Sequence, residues 1–100
     1  METLKILKAL GNAHRLQILE WLKAPEAHFP PHQEVEGFGD GVCVAFIQQK
    51  IGLSQSTTSH YLAILEDSGL VIPTRIGKWT YYKRNTAIIA AFLEAIHNQL

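Results

Sequence analysis

Leu4, Ile6, Leu7 and Leu10 recur at mostly helical spacing in TLKILKAL, residues 3–10, and Gly11 then breaks the run. Asn12 can cap a second helix over residues 13–24. There Leu16, Ile18, Leu19 and Leu22 make the apolar stripe, with Trp21 beside it as a further core residue, and Pro25 ends the pattern. Residues 25–41, PEAHFPPHQEVEGFGDG, hold three of the four prolines and three glycines, which predicts an irregular, solvated loop. A loop of that length in a small domain is usually functional or mobile. Val42 to Ile51 predicts a third helix with Val42, Phe46, Ile47 and Ile51 inward. Gly52 suits a left-handed helix end, and Ser54 can cap the helix that follows. Helix, Gly-Leu turn and Ser-capped helix together outline a helix-turn-helix.

The next helix, residues 55–68, is split by its own periodicity. Thr58, Leu62 and Leu65 fall in one sector and should face the core, while Ser56, Ser59, His60 and Ala63 cluster opposite, and Ile64 lies between the faces. Gly69 closes it. Ser and Thr are mediocre helix formers, so the run Ser54-Gln55-Ser56-Thr57-Thr58-Ser59-His60 calls for a reason beyond packing. Residues 70–84, LVIPTRIGKWTYYKR, are β-branched and aromatic on both sides of Gly77-Lys78, which predicts a hairpin with a type II′ turn. Pro73 demotes its first strand to an edge or irregular one. Asn85 can cap a last helix, 86–99, that is apolar almost all round. Such a helix needs a second surface, most simply another copy of the chain, and Leu4, Leu7, Ile89, Phe92, Leu93 and Ile96 are the candidate interface residues.

The chain has 100 residues, the size of one domain (1–100) with the acidic loop 25–41 inserted in it. Nothing in it resembles a signal peptide or an apolar run long enough for a bilayer, and a single cysteine, Cys43, suits a reducing cytoplasm. Net charge is zero, but its distribution is uneven. Residues 25–41 carry Glu26, Glu34, Glu36 and Asp40 with no Lys or Arg; residues 42–84 carry Lys50, Arg75, Lys78, Lys83 and Arg84 against Glu66 and Asp67. A basic second half points to an anionic partner. The fold class expected is mainly α with a small β-hairpin wing, a winged helix-turn-helix ordered α-α-loop-α-α-β-β-α. Its second helix would present short hydroxyl side chains to the DNA major groove, and its wing would bring cations to the phosphates. The candidate DNA-binding residues are Gln55, Ser56, Thr57, Ser59, His60, Arg75 and Lys78. His14-Arg15 could also reach phosphate, although Arg15 could equally pair with an acidic neighbour. The rival reading is a winged helix that contacts another protein instead of DNA.

"ALGNAHRLQILEWL", "IGLSQSTTSHYLAILEDSGLV" and "RIGKWTYYKRN" together resemble the ArsR family of dimeric winged helix-turn-helix repressors, over nearly the whole chain apart from the acidic loop. The resemblance implies a homodimer, joined through its first and last helices, that occupies an inverted-repeat operator and releases it when an effector binds. Arsenic-sensing members carry a Cys-Val-Cys pair where this chain has Cys43-Val44-Ala45, so one thiolate is present without its partners. Zinc-sensing members place paired His and acidic ligands on the last helix, which here offers only Glu94 and His97; redox-sensing members use two cysteines. The effector is therefore left unidentified.

His28, His32 and Cys43, with Glu34, Glu36 and Asp40, form a loose ligand-rich cluster. Its irregular spacing does not support a metal site, so no cofactor is expected, and Cys43 reads as a small buried hydrophobe. The one conceivable nucleophile-base pair, Cys43 with His60, falls on different helices without an orienting third group, and no enzyme activity is expected.

Overall fold

The computed structural model describes residues 1–100. Helices α1 (Thr3–Leu10) and α2 (Ala13–Lys23) are followed by a helical turn α3 (Pro25–His28) and a two-residue strand β1 (Val42–Cys43). Then come α4 (Val44–Ile51), α5 (Gln55–Asp67), the hairpin β2 (Val71–Ile76) and β3 (Trp79–Arg84), and α6 (Thr86–Gln99). No helix is long and apolar enough to cross a membrane.

The start of α2 is built as the sequence requires. The Asn12 side chain accepts hydrogen bonds from the backbone N–H groups of His14 (3.0 Å) and Arg15 (3.1 Å), satisfying two of the orphan donors of a helix start. Arg15 then serves the preceding helix instead of an acidic neighbour. Its Nε donates to the carbonyl of Ala9 at 2.7 Å and its Nη2 to that of Lys8 at 3.2 Å, closing the C-terminal carbonyls of α1.

Two expectations for the middle of the chain need correction. Val42 and Cys43 do not begin the third helix; they pair antiparallel with β3, Val42 opposite Tyr82 and Cys43 opposite Tyr81. The hairpin leaves one edge of β3 open, and a β-branched residue preceded by glycine satisfies that edge before the helix starts at Val44. Gly41, at φ 103°, makes this close approach. Residues 25–41 are also less solvated than their composition suggests. Pro25 starts a short helical turn, where its missing N–H costs nothing, and Phe29 and His32 are buried. Phe29 meets Trp21 edge-on, with ring centroids 6.2 Å apart, so half-buried Trp21 packs against the core.

The sheet order is β1-β3-β2, which leaves β2 on an edge where Pro73 lacks nothing a partner strand would need. Ile76 pairs with Trp79 across Gly77-Lys78, and Gly77 alone takes a positive φ (60°), the signature of a type II′ turn. The core gathers Ile6, Ile18, Ile47, Leu62, Leu65 and Leu70 from α1, α2, α4, α5 and the start of the hairpin, all essentially without solvent contact. Each such side chain contributes about 1.5–3 kcal/mol by burial. Thr58, Leu62 and Leu65 face inward from α5, and Ile64 is half-buried. Cys43 is buried with them.

On α6, Phe92 departs from its expected place. It is 6% exposed and belongs to the chain's own core, so it is not surface available to a second copy. A helix apolar all round offers several faces, and the largest side chain fills the intramolecular one.

Candidate nucleic-acid interface

Gly52 closes α4 in the left-handed conformation (φ 73°), its N–H bonded to the Gln48 carbonyl at 3.0 Å. Ser54 begins α5: its hydroxyl accepts from the Thr57 N–H at 3.1 Å and donates to the Thr57 hydroxyl at 2.9 Å. It also lies 3.3 Å from the Ser56 hydroxyl. Part of the hydroxyl run therefore builds the helix start itself, and Thr57 is half-buried in that task. Gln55, Ser56, Ser59 and His60 remain exposed on the outer face. No acidic residue occupies the first turn, and none precedes Glu66 on this helix. Such a face is short, polar and uncharged, at the positive end of a helix dipole, and suits approach to a polyanion.

The wing stands beside it. A groove of about 370 Å³ runs between α4, α5 and the hairpin, walled by Gln48, Gln55, Thr58, Ser59, Trp79 and Thr80. The Arg75 Nε donates to the Gly77 carbonyl at 3.0 Å and its Nη1 reaches the Thr80 hydroxyl at 3.4 Å, so the guanidinium is folded along the hairpin. The Lys78 ammonium lies 5.5 Å from the Trp79 ring centroid. Both cations are exposed at the tip, while Lys83 and Arg84 at the hairpin base are half-buried.

A third element was not anticipated from sequence. Lys5, Lys8, Arg15, His60 and Asp67 line a cleft of about 440 Å³ between α1, α2 and α5. Lys5 bridges to Asp67 at 2.9 Å, and the hydrogen bond and charge of that carboxylate push the ammonium above its ordinary range. Tyr61 is covered by His14, stacked at 6.0 Å, and by the Arg15 guanidinium at 5.3 Å. The spacing of Lys5 and Lys8, one helical turn apart on the polar face of α1, is the signal that could have revealed this cleft.

The loose ligand cluster does not assemble. His28 is exposed on α3, and no group of three His, Cys, Asp or Glu side chains is placed to hold a metal ion. Both nitrogens of His32 are occupied: Nε2 accepts from the Cys43 N–H at 3.1 Å, so Nδ1 carries the hydrogen and donates to the Gly37 carbonyl at 3.1 Å. Its ring sits among Phe38, Phe46 and Tyr81, with centroids 4.8, 5.0 and 5.1 Å away. Burial, reinforced by the nearby Cys43 thiol and the Glu34 carboxylate, raises the Tyr81 phenol above its usual range. Cys43 lies in the sheet and His60 on the outer face of α5, so they do not form a reacting pair.

The helix-turn-helix and the strand that enters it fall within residues 42–72, which match the family described as bacterial regulatory protein, arsR family. The whole chain is 45% identical over 100 residues, the full length of both proteins, to the uncharacterized HTH-type transcriptional regulator YbzH of Bacillus subtilis (strain 168). The chain belongs to the ArsR family. Among solved structures, HlyU from Vibrio cholerae N16961 superposes with a TM-score of 0.66 at 27% identity, covering 96% of this chain and 88% of that one. The homodimeric winged helix-turn-helix DNA-binding domain Mb0332 from Mycobacterium bovis gives a TM-score of 0.63 at 26% identity, covering 95% and 77%. This ArsR-family chain is accordingly a winged helix-turn-helix transcriptional regulator that binds DNA, with α5 as the second helix of the helix-turn-helix and β2–β3 as wing.

Proposed function

We propose that the protein is a homodimeric, cytoplasmic, sequence-specific repressor that leaves an inverted-repeat operator when an effector binds. The observation that carries the reading is the acid-free first turns of α5, with Gln55, Ser56, Ser59 and His60 exposed beside a wing tipped by Arg75 and Lys78. Short side chains on the helix reach base edges, and long cations on the wing meet phosphates. Lys78→Ala is expected to weaken binding to all sequences alike and to lower the salt slope by about one unit. Ser56→Ala and His60→Ala are expected to cost roughly 1–3 kcal/mol on the operator and little on random DNA. Selection of bound fragments from genomic DNA, then titration of each variant at several salt concentrations, checks both roles. A two-fold dimer further requires half-sites separated by about one helical turn or a multiple of it. Selection that returns no inverted repeat, with all three variants unchanged, transfers these surfaces to a protein partner.

Dimerisation is supported by the homodimeric state of the Mycobacterium bovis domain and by an uncovered apolar face. Leu4, Leu7 and Leu93 are 64%, 45% and 59% exposed, and Ile89 and Ile96, half-buried, flank Leu93 on α6. α1 and α6 pack on each other, so these leucines can form one continuous surface. Exposed leucines tolerate substitution within a protomer, unlike Phe92. Leu4→Glu with Leu93→Glu is therefore expected to give a folded monomer, weakening the dimer at least about tenfold by lost apolar burial. Sedimentation at micromolar concentration measures it, and an unmodified chain that sediments as a folded monomer removes the proposal.

A further inference from the structure

A cavity of about 260 Å³ opens between α2, the hairpin base and α6. Its inner wall is Leu19, Leu70 and Phe92, all buried, while Leu16 and Leu93, 45% and 59% exposed, stand at its mouth. Three charged residues share the lining: Glu20, Lys23 and Arg84. Arg84 is the last residue of β3 and half-buried, and its Nε is buried with no hydrogen-bond partner. Both ion pairs of the chain are made by Lys5, so no carboxylate of the protein answers this guanidinium. A buried donor without an acceptor is costly, more so on a charged group.

We propose that this cavity is a binding site for a small organic acid, its carboxylate on Arg84 and its apolar body against Leu19, Leu70 and Phe92. A guanidinium presents a planar fork that matches a carboxylate in a bidentate pair, and leucine and phenylalanine walls suit a hydrocarbon. The volume sets the size. It lies just below the range of about 300–1,000 Å³ usual for small-molecule pockets, so the body is a short alkyl chain or a single ring. Leu93 at the mouth also belongs to the proposed dimer face, so the occupant would sit beneath the seam that orients the two recognition helices. That coupling makes the acid the effector, and it rests on the regulator reading above; the binding itself does not.

Titration calorimetry with octanoate and with 1-octanol separates the charge from the apolar body. Octanoate is expected to bind saturably, one per chain, and about tenfold more tightly than the alcohol, the gain of a charge-assisted pair. Arg84→Gln is expected to erase that preference. Glu20→Gln removes the one negative charge of the lining, which repels a bound carboxylate, and is expected to tighten octanoate about threefold, the scale of a partly exposed charge. Circular dichroism verifies that each variant folds; should Arg84→Gln not fold, Glu20→Gln and the acid-to-alcohol ratio still decide. Equal affinities for acid and alcohol overturn the site, as does a Glu20→Gln variant with unchanged affinity. Absence of saturable binding in a dimer that binds its operator also overturns it, because the second copy then fills the cavity. DNA binding is measured first without octanoate, so a failed regulator reading is seen separately. Octanoate bound without release of operator overturns the effector role.

Discussion

Replacing Gly41 by alanine is expected to lower the stability of the protein by about 2–6 kcal/mol, a large part of what a small domain has. Gly41 has φ 103°, a conformation that side-chain-bearing residues rarely adopt, and it lies directly against β3. An added Cβ would sit 2.1 Å from the Tyr82 carbonyl oxygen and 2.7 Å from the Lys83 nitrogen. Neither neighbour can move away, because β3 is the central strand and is held on its other side by the pairing of Pro73 and Ile72 with Tyr82 and Lys83. Relief therefore requires β1 to leave the sheet, which uncovers Val42 and Cys43. Strain at positive φ and forced overpacking each cost about 1–3 kcal/mol, together about 2–6 kcal/mol, which reaches the lower end of the 5–15 kcal/mol total stability of a small domain. Gly39 is the matched control, with a φ outside the left-handed region and nothing within 4 Å of an added Cβ. Urea unfolding should show Gly39→Ala within about 0.5 kcal/mol of the unmodified chain. If Gly41→Ala shares that midpoint, β1 is not packed on β3 as described.

The elements legible in the sequence are those with a repeating pattern. α2 and α5 announce themselves through i, i+3, i+4 spacing, and Thr58, Leu62 and Leu65 fall on the buried face that the wheel assigns. The hairpin is legible because Gly77 supplies the one positive φ its turn requires. β1 is not legible: two residues have no period, and the reason Val42 and Cys43 extend is an open strand edge almost forty residues further along the chain. His32 is hidden for the same reason, since its partners Cys43 and Tyr81 are distant in sequence and its own neighbours are prolines and acids. For the candidate DNA-contacting surface, the outward set on α5 was readable, but the division of labour within it was not. Ser54 and Thr57 spend their hydroxyls on each other, which a list of hydroxyl residues does not distinguish from availability. Phe92 was ambiguous in principle, because an all-round apolar helix contains no internal sign of which face meets its own chain.

Removing the His32 ring is expected to detach residues 29–41 from the sheet. The imidazole joins three separate parts of the chain through specific atoms: Nδ1–H to the Gly37 carbonyl, Nε2 to the Cys43 N–H, and the ring faces and edge to Phe38, Phe46 and Tyr81. The Cys43 N–H stands where β1 passes into α4, among the orphan donors of that helix start, and Cys43 is its N-cap residue without a side-chain capping bond. His32 thus supplies the cap from eleven residues away. His32→Ala leaves that buried donor unpaired and opens a ring-sized cavity, for a loss of roughly 3–5 kcal/mol. His32→Phe keeps the stack on Phe46 but cannot accept from Cys43, for a loss of roughly 1–3 kcal/mol. Denaturant unfolding of the three proteins should therefore rank them as unmodified, Phe, then Ala. A Phe variant as stable as the unmodified chain would reduce His32 to a packing residue and remove the capping argument. The same bonds bear on metal, since a ring with both nitrogens engaged has none left to ligate. Melting of the unmodified protein is accordingly expected to be the same with zinc and with a chelator, and a chelator that lowers it would show that His32 gives up the Cys43 bond to a metal ion.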